Sequence, residues 1–216
     1  MNLLIMGAPG SGKGTMSERI CQEFGILHIS TGDLLREAVQ SGSELGKKAN
    51  DYMSKGLLVP DEIIHDIIVD RLSKDDAKKG FLMDGYPRTI AQAIDLDKIL
   101  KKLNMKIDRI IQLDLAHEVI AERITGRRVC EGCGTIYHIK NKPPKVDGVC
   151  DLCGSKLYTR SDDTLESLKV RLSEYEKSTK PLLDHYADLV KIEEIDGDGS
   201  VDDVFHKIED VLRVLS

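Results

Sequence analysis

The chain of 216 residues carries a formal net charge of -6, with 41% hydrophobic and 31% charged residues. That is enough chain for one core with small insertions, and too apolar for a largely disordered polypeptide. An acidic total also excludes nucleic-acid binding as the default reading, since such binders gather a basic excess on one face, and it leaves any anionic ligand to be met by a local cluster of arginines.

Residues 1–6 form an apolar run that ends at a glycine-rich turn, and residues 13–24 read as a helix. Residues 26–29 are a weaker strand candidate. Short apolar runs of the buried-strand kind recur at 80–83, 109–115 and 190–195, each followed by a helix-like segment. Alternation of this kind predicts an α/β fold in which a parallel five-stranded sheet is flanked by helices on both faces.

Two stretches interrupt the alternation. Residues 30–60 are helical in pattern but broken by Gly42, Gly46 and Gly56, which predicts a small helical insertion. In residues 126–164 the helical period vanishes, and about forty residues without structure of their own would be unusual, so a second subdomain is expected there. Residues 116–125 and 163–187 read as helices and would be its two stems. The predicted division is a core at 1–29, 61–126 and 165–216, a helical insertion at 30–60 and a lid at 127–164. Helix starts are signalled by Thr31 with Asp33, by Asp61 with Glu62 after Pro60, and by Thr164 with Glu166, because early acids suit the positive helix end. The first ten residues contain no basic leader, and no stretch has membrane length, so a cytoplasmic protein without a membrane partner is expected.

Gly7-Ala-Pro-Gly10-Ser11-Gly12-Lys13-Gly14-Thr15 sits after a strand and before a helix, the context of a phosphate-binding loop. Glycines let successive backbone N–H groups turn inward, and Lys13 adds a mobile charge for the outer phosphates. The general motif has Ser or Thr after the lysine. Here Gly14 stands in that place, so the hydroxyl near magnesium must come from Thr15 or be replaced by water. Asp84 ends an apolar strand beside the loop, where a carboxylate can hold magnesium directly or through water; Asp114 is a weaker competitor.

Of five cysteines, Cys21 reads as a small buried hydrophobe. The other four form the pairs Cys130/Cys133 and Cys150/Cys153, separated by 16 residues, as expected of a closed four-thiolate zinc site. Such a zinc is structural. A zinc-ribbon module gripping nucleic acid is the rival reading, disfavoured by the acidic charge and by the lack of aromatic platforms beyond Tyr137 and Tyr158.

The loop Gly-x-Pro-Gly-x-Gly-Lys-Gly-Thr resembles that of adenylate kinases and their nucleoside-monophosphate kinase relatives. Asp84-Gly-Tyr-Pro-Arg-Thr89 is similar to the family's Asp-Gly-Phe-Pro-Arg, and Thr31-Gly-Asp-Leu-Leu-Arg36, Gly56-Leu-Leu-Val-Pro-Asp61, Arg123 with Arg127 and the two cysteine pairs follow in the family's order. The resemblance implies a P-loop NTPase-type sheet with a helical NMP-binding insertion and a zinc-bearing lid, acting as a monomer on ATP-Mg and AMP to give two ADP. It assigns Gly10, Ser11, Gly12, Lys13, Gly14, Thr15, Arg123, Arg127, Ile136, Tyr137 and the loop at Gly199 to ATP. Thr31, Arg36, Leu57, Leu58, Val59, Gly85, Tyr86, Pro87, Arg88 and Gln92 fall to AMP, and Arg160 and Arg171 to phosphates at the junction. For any one arginine, pairing with Glu122, Asp162, Asp163 or Glu174 at the surface is the bland alternative. Catalysis by position and charge, through Lys13, Arg88, Arg123, Arg127, Arg160, Arg171 and Asp84, needs no side-chain base, because the acceptor phosphate is already ionised. A kinase for UMP or CMP is the nearest rival, to be separated by Thr31, Val59 and Gln92.

Overall fold

A computed structural model describes residues 1–215. Its centre is β1 (Asn2–Gly7), buried at every position after Asn2. Around it lie β2 (Leu27–Ser30), β3 (Phe81–Asp84), β4 (Arg109–Asp114) and β8 (Ile192–Asp196), in the order β2-β3-β1-β4-β8 and all parallel. Alternate residues of these strands feed opposite layers. Leu4, Met6 and Met83 pack against α4 (Asp61–Leu72), α5 (Ile90–Lys102) and α8 (Leu182–Tyr186). Leu3, Ile5 and Leu82 pack against α1 (Lys13–Phe24) and α9 (Val201–Leu212). The chain visits one side of β1 for β2 and β3 and the other for β4. The C-terminal ends of β1 and β3 therefore open onto one crevice, where ligands of such sheets bind.

The first insertion is a helix pair, α2 (Thr31–Gln40) and α3 (Glu44–Met53). Ser30 caps α2 by accepting from the Asp33 amide at 3.2 Å, one residue before the expected start. Gly46 departs from expectation, for it lies within α3 and breaks nothing. A β-carbon there would sit 2.0 Å from the Ala38 carbonyl oxygen, so this glycine permits the backbones of α2 and α3 to touch.

The second insertion is a three-stranded antiparallel sheet, with β5 (Arg127–Cys130) between β6 (Ile136–His138) and β7 (Leu157–Tyr158). Its stems are α6 (His117–Thr125) and α7 (Leu165–Glu174), which share an apolar cluster of Ile120, Ile124 and Leu168. The helix expected to continue to residue 187 does not run through. The chain widens into a π-helical turn at Tyr175–Thr179, closed by the Lys180 amide on the Tyr175 carbonyl at 2.8 Å, and restarts as α8 after Pro181. Proline has no amide hydrogen to donate, and its ring collides with the preceding turn.

Candidate active site

The loop between β1 and α1 is shaped by glycines at left-handed positions, Gly10 at φ 84° and Gly12 at φ 102°. Lys13 folds back over it, its Nζ donating to the carbonyls of Gly7 and Ala8 at 2.8 and 2.9 Å. Burial pulls the Lys13 ammonium down to about 8. Asp84 opposes that shift, while Arg88, Arg171 and Arg127 add to it. One lysine thus feels three guanidinium groups from three separate segments of the chain.

Those guanidiniums are themselves partly buried. Arg88 donates from Nε to the Gly85 carbonyl at 2.8 Å, and burial lowers its affinity for the proton. Arg171 is brought down to about 10, chiefly by burial, while pairing with Asp162 at 2.8 Å. Arg160 is lowered by burial and then by the charges of Arg36 and Arg127. Burial also opposes the charge on Arg127, but the two hydrogen bonds and the charge of Asp163 outweigh it and raise Arg127 above its ordinary value. Arg36 lies 2.5 Å from Asp33, which Arg160 also approaches at 3.4 Å. Arg123 stands across the loop, bonded to the carbonyls of Ser11 and Gly197. Arg127 and Arg171 each have an acidic partner, Asp163 and Asp162, and each also lies in the cluster around Lys13. Buried like charges at this density are costly unless an anion joins them.

Beside the cluster is a cavity lined by Thr31, Arg36, Leu57, Leu58, Val59, Gly85, Arg88 and Gln92. At Gly85, φ 82°, a β-carbon would meet Thr31 Oγ1 at 2.9 Å, so no side chain fits. Asp84 lies opposite Ile5 of β1 in the register and supplies its carbonyl to the Thr31 hydroxyl at 3.3 Å. Pro87 follows a cis bond in the same turn. Tyr86 departs from its expected place: its ring is part of the core under α5, where burial and Asp95 raise the hydroxyl above its ordinary range.

From the lid, Ile136 reaches the phosphate loop. A β-carbon at position 14 would lie 3.1 Å from its Cδ1, so the hydroxyl missing at Gly14 would crowd the lid strand. Tyr137 does not share this role. It is 3% exposed inside the lid, its hydroxyl 3.5 Å from Cys150 Sγ and accepting the Asp151 amide at 2.8 Å. Gly199, φ 117°, follows β8 in the loop whose Gly197 adjoins Ser11.

The four lid sulfurs lie within 4.8 Å of one another. Cys130 and Cys153 are 3.3 Å apart, Cys133 and Cys150 3.6 Å. Tetrahedral Zn–S bonds of about 2.3 Å set sulfurs about 3.8 Å apart, so the group fits that metal. The amides of Gly132 and Cys133 point at Cys130 Sγ, each at 3.4 Å, and the Tyr137 hydroxyl helps lower the Cys150 thiol to about 6.

The family model described as adenylate kinase matches residues 5–191. The adenylate kinase of Caldanaerobacter subterraneus is 53% identical over 212 residues, covering 98% of this chain and 96% of that protein. That of Carboxydothermus hydrogenoformans is 52% identical, covering 99% and 100%. That of Staphylococcus epidermidis is 48% identical, covering 98% and 99%.

The chain belongs to the adenylate kinase family.

It is a nucleoside monophosphate kinase, and the reaction of its family is ATP + AMP = 2 ADP. Two acids entered the sequence reading only as helix starters and as members of quoted motifs, with no partner assigned. Asp33 sits between Arg36 and Arg160, and Asp61 bonds Gln92. Only the three-residue spacing of Asp33 and Arg36 could have signalled the first pairing. Nothing local could signal the second, whose partners are 31 residues apart. Among the described residues, no helix is long and apolar enough to cross a membrane.

Proposed function

We propose that transfer proceeds by alignment and charge, with Lys13, Arg88, Arg127, Arg160 and Arg171 gathering the phosphates of both nucleotides. The observation that carries this is the lysine folded over the loop, bonded to the Gly7 and Ala8 carbonyls and within the influence of three guanidiniums. Gly10, Ser11, Gly12, Gly14 and Thr15 cradle the ATP phosphates through backbone amides and the helix end. Lys13 bridges the outer two. Arg123 steadies the donor from the far side of the loop, Ile136 covers it, and the Gly199 loop borders its nucleoside. Tyr137 acts from inside the lid by holding β6 in place.

AMP enters the cavity of Thr31, Leu57, Leu58, Val59 and Gln92, its phosphate gripped by Arg36 and Arg88 in the two-pronged manner of planar guanidiniums. Gly85 and Pro87 shape the turn that presents Arg88, and Tyr86 anchors it in the core. An ionised phosphate oxygen attacks in line, so no side chain removes a proton. Asp84, with the Thr15 hydroxyl or water, would hold magnesium, which neutralises charge on the donor phosphates. Water is the competing acceptor. Closure of the lid, 127–164, and of the insertion, 30–60, over the core excludes it, and the Asp33–Arg160 contact at 3.4 Å is one bond between the two moving units.

Cys130, Cys133, Cys150 and Cys153 hold zinc in a closed shell that staples the lid and activates no water. The enzyme works as a cytoplasmic monomer without nucleic-acid partners. An assay supplying ATP-Mg with AMP, UMP or CMP in turn tests the reading: ADP appears with AMP. Faster turnover of either pyrimidine, or full activity in Arg88→Ala, would refute it.

A further inference from the structure

Gln92 is 2% exposed, lines the same cavity as Thr31, Val59, Arg36 and Arg88, and has both ends of its carboxamide committed. Oε1 accepts from the backbone N–H of Arg88 at 2.7 Å, and Nε2 donates to Oδ1 of Asp61 at 2.6 Å. A backbone N–H can only donate, and an ionised carboxylate can only accept. Turning the carboxamide over would set donor against donor at Arg88 and acceptor against acceptor at Asp61. The orientation of Gln92 is therefore decided by its neighbours.

We propose that Asp61, by locking Gln92 in this orientation, is the positioning residue that makes the monophosphate site select an amino purine over an oxo purine. The inference rests on the reading that Gln92 faces the base. Held as observed, the carboxamide keeps one N–H and one oxygen lone pair to offer. Adenine presents a ring-nitrogen acceptor beside an amino donor and matches that pair. Hypoxanthine, the base of IMP, presents a ring N–H beside a carbonyl, which is the reversed pair and matches only the turned-over amide. AMP and IMP carry the same sugar and phosphate and have nearly the same shape. Neither the arginines nor the apolar walls can tell them apart, whereas a carboxamide of fixed hydrogen-bond polarity can. Among the described residues the Asp61 carboxylate has no hydrogen-bond partner other than Gln92, and it lies in the first turn of α4, so it reaches the base only through that amide.

The test compares kcat/KM for AMP and IMP, with ATP-Mg, in the wild type, Asp61→Ala, Asp61→Asn and Gln92→Leu. Where IMP turns over too slowly to follow, its inhibition constant against AMP reports the binding part of the preference, the part the proposal predicts to change. Asp61→Ala removes the acceptor that opposes the turned-over amide, and Asp61→Asn adds a donor that welcomes it. In both, the AMP:IMP preference falls by about tenfold or more through the KM of the monophosphate, the scale of one mispaired buried hydrogen bond. The KM for ATP shifts by less than about twofold, because the donor site makes no use of this amide. A preference that stays at the wild-type value in both folded Asp61 variants, or an equal loss for AMP and IMP, overturns the proposal. Gln92→Leu separates the two levels. If it abolishes the preference while both Asp61 variants keep it, only the locking role falls; if it too keeps the preference, Gln92 does not read the base.

Discussion

Asp33 Oδ1 lies 2.5 Å from a terminal nitrogen of Arg36 and 3.4 Å from one of Arg160, so a single carboxylate oxygen joins the helical insertion to the lid. The insertion and the lid are 127 residues apart in the chain at this contact. Burial would raise the Asp33 carboxyl, but Arg36, the Ser30 hydroxyl and Arg160 outweigh it and hold it below its ordinary value. Because its folded pKa is depressed, its contribution is present above the unfolded carboxylate range and is lost as pH falls through the lower folded value. Asp33→Ala should shift the lid toward open by up to about fivefold, the scale of a half-exposed ion pair. Energy transfer between dyes on lid and core, with a two-substrate mimic at neutral pH, checks this; an unchanged closed fraction refutes it.

Lys13 is a cation whose proton affinity is depressed to about 8 by burial, so the folded protein binds its proton less well than the unfolded chain does. Its charge therefore opposes folding below pH 8, and the penalty fades as pH rises from there to the ordinary lysine range. Lys13→Met should raise the melting temperature of the nucleotide-free protein while lowering kcat/KM by about 10²-fold or more, as expected for a donor aimed at developing charge. In the wild type, ATP affinity should decline above pH 8, with proton uptake on binding that calorimetry in two buffers would detect. Equal heats in both buffers at pH 9 would count against the assignment.

Zinc removal should cost stability before chemistry. Cys130→Ser leaves three ligands and a lid with a core of only a few buried residues, Tyr137 and Leu157 among them. Its melting temperature should fall by about 10 °C or more, given about 2–4 °C per kcal/mol for a chain of this size. Activity at low temperature should remain within about tenfold of wild type, since a closed four-thiolate shell takes no part in transfer. Full stability with activity gone would contradict a structural metal.

Gly46→Ala addresses the helix pair. The new methyl would meet the Ala38 carbonyl at 2.0 Å, so α2 and α3 must part. The expected cost is about 1–3 kcal/mol, the usual range for overpacking. Because α2 also carries Arg36, the KM for AMP should rise more than that for ATP. Chemical denaturation and a two-substrate kinetic analysis measure the two effects; equal stability to the wild type would show that the contact yields without cost.

Much of the site was legible because its motifs are local. A glycine-rich turn ending in lysine, two cysteine pairs and an aspartate closing an apolar strand each need only neighbouring residues to be recognised; the strand and helix periods set the turn and the aspartate at strand ends of the sheet, and the loss of period set the cysteines in the insertion. Two helix expectations were off for equally local reasons read the wrong way. Gly46 has the composition of a break but serves an interhelical contact, and Pro181 divides a helical pattern whose period continues beyond it. Tyr86 and Tyr137 sit in the right segments, yet their rings point into the core and the lid interior.

By itself the sequence determined the alternating fold, the phosphate loop, the four thiols and the set of arginines available for anions. Only the tertiary structure decided which acid answers which arginine, that Asp33 spans two insertions, and that Asp61 meets Gln92. The reason is physical: backbone periodicity and metal spacing are set by bonds a few residues long, whereas the partner of a charge or an amide is whatever the packed chain brings within about 3 Å.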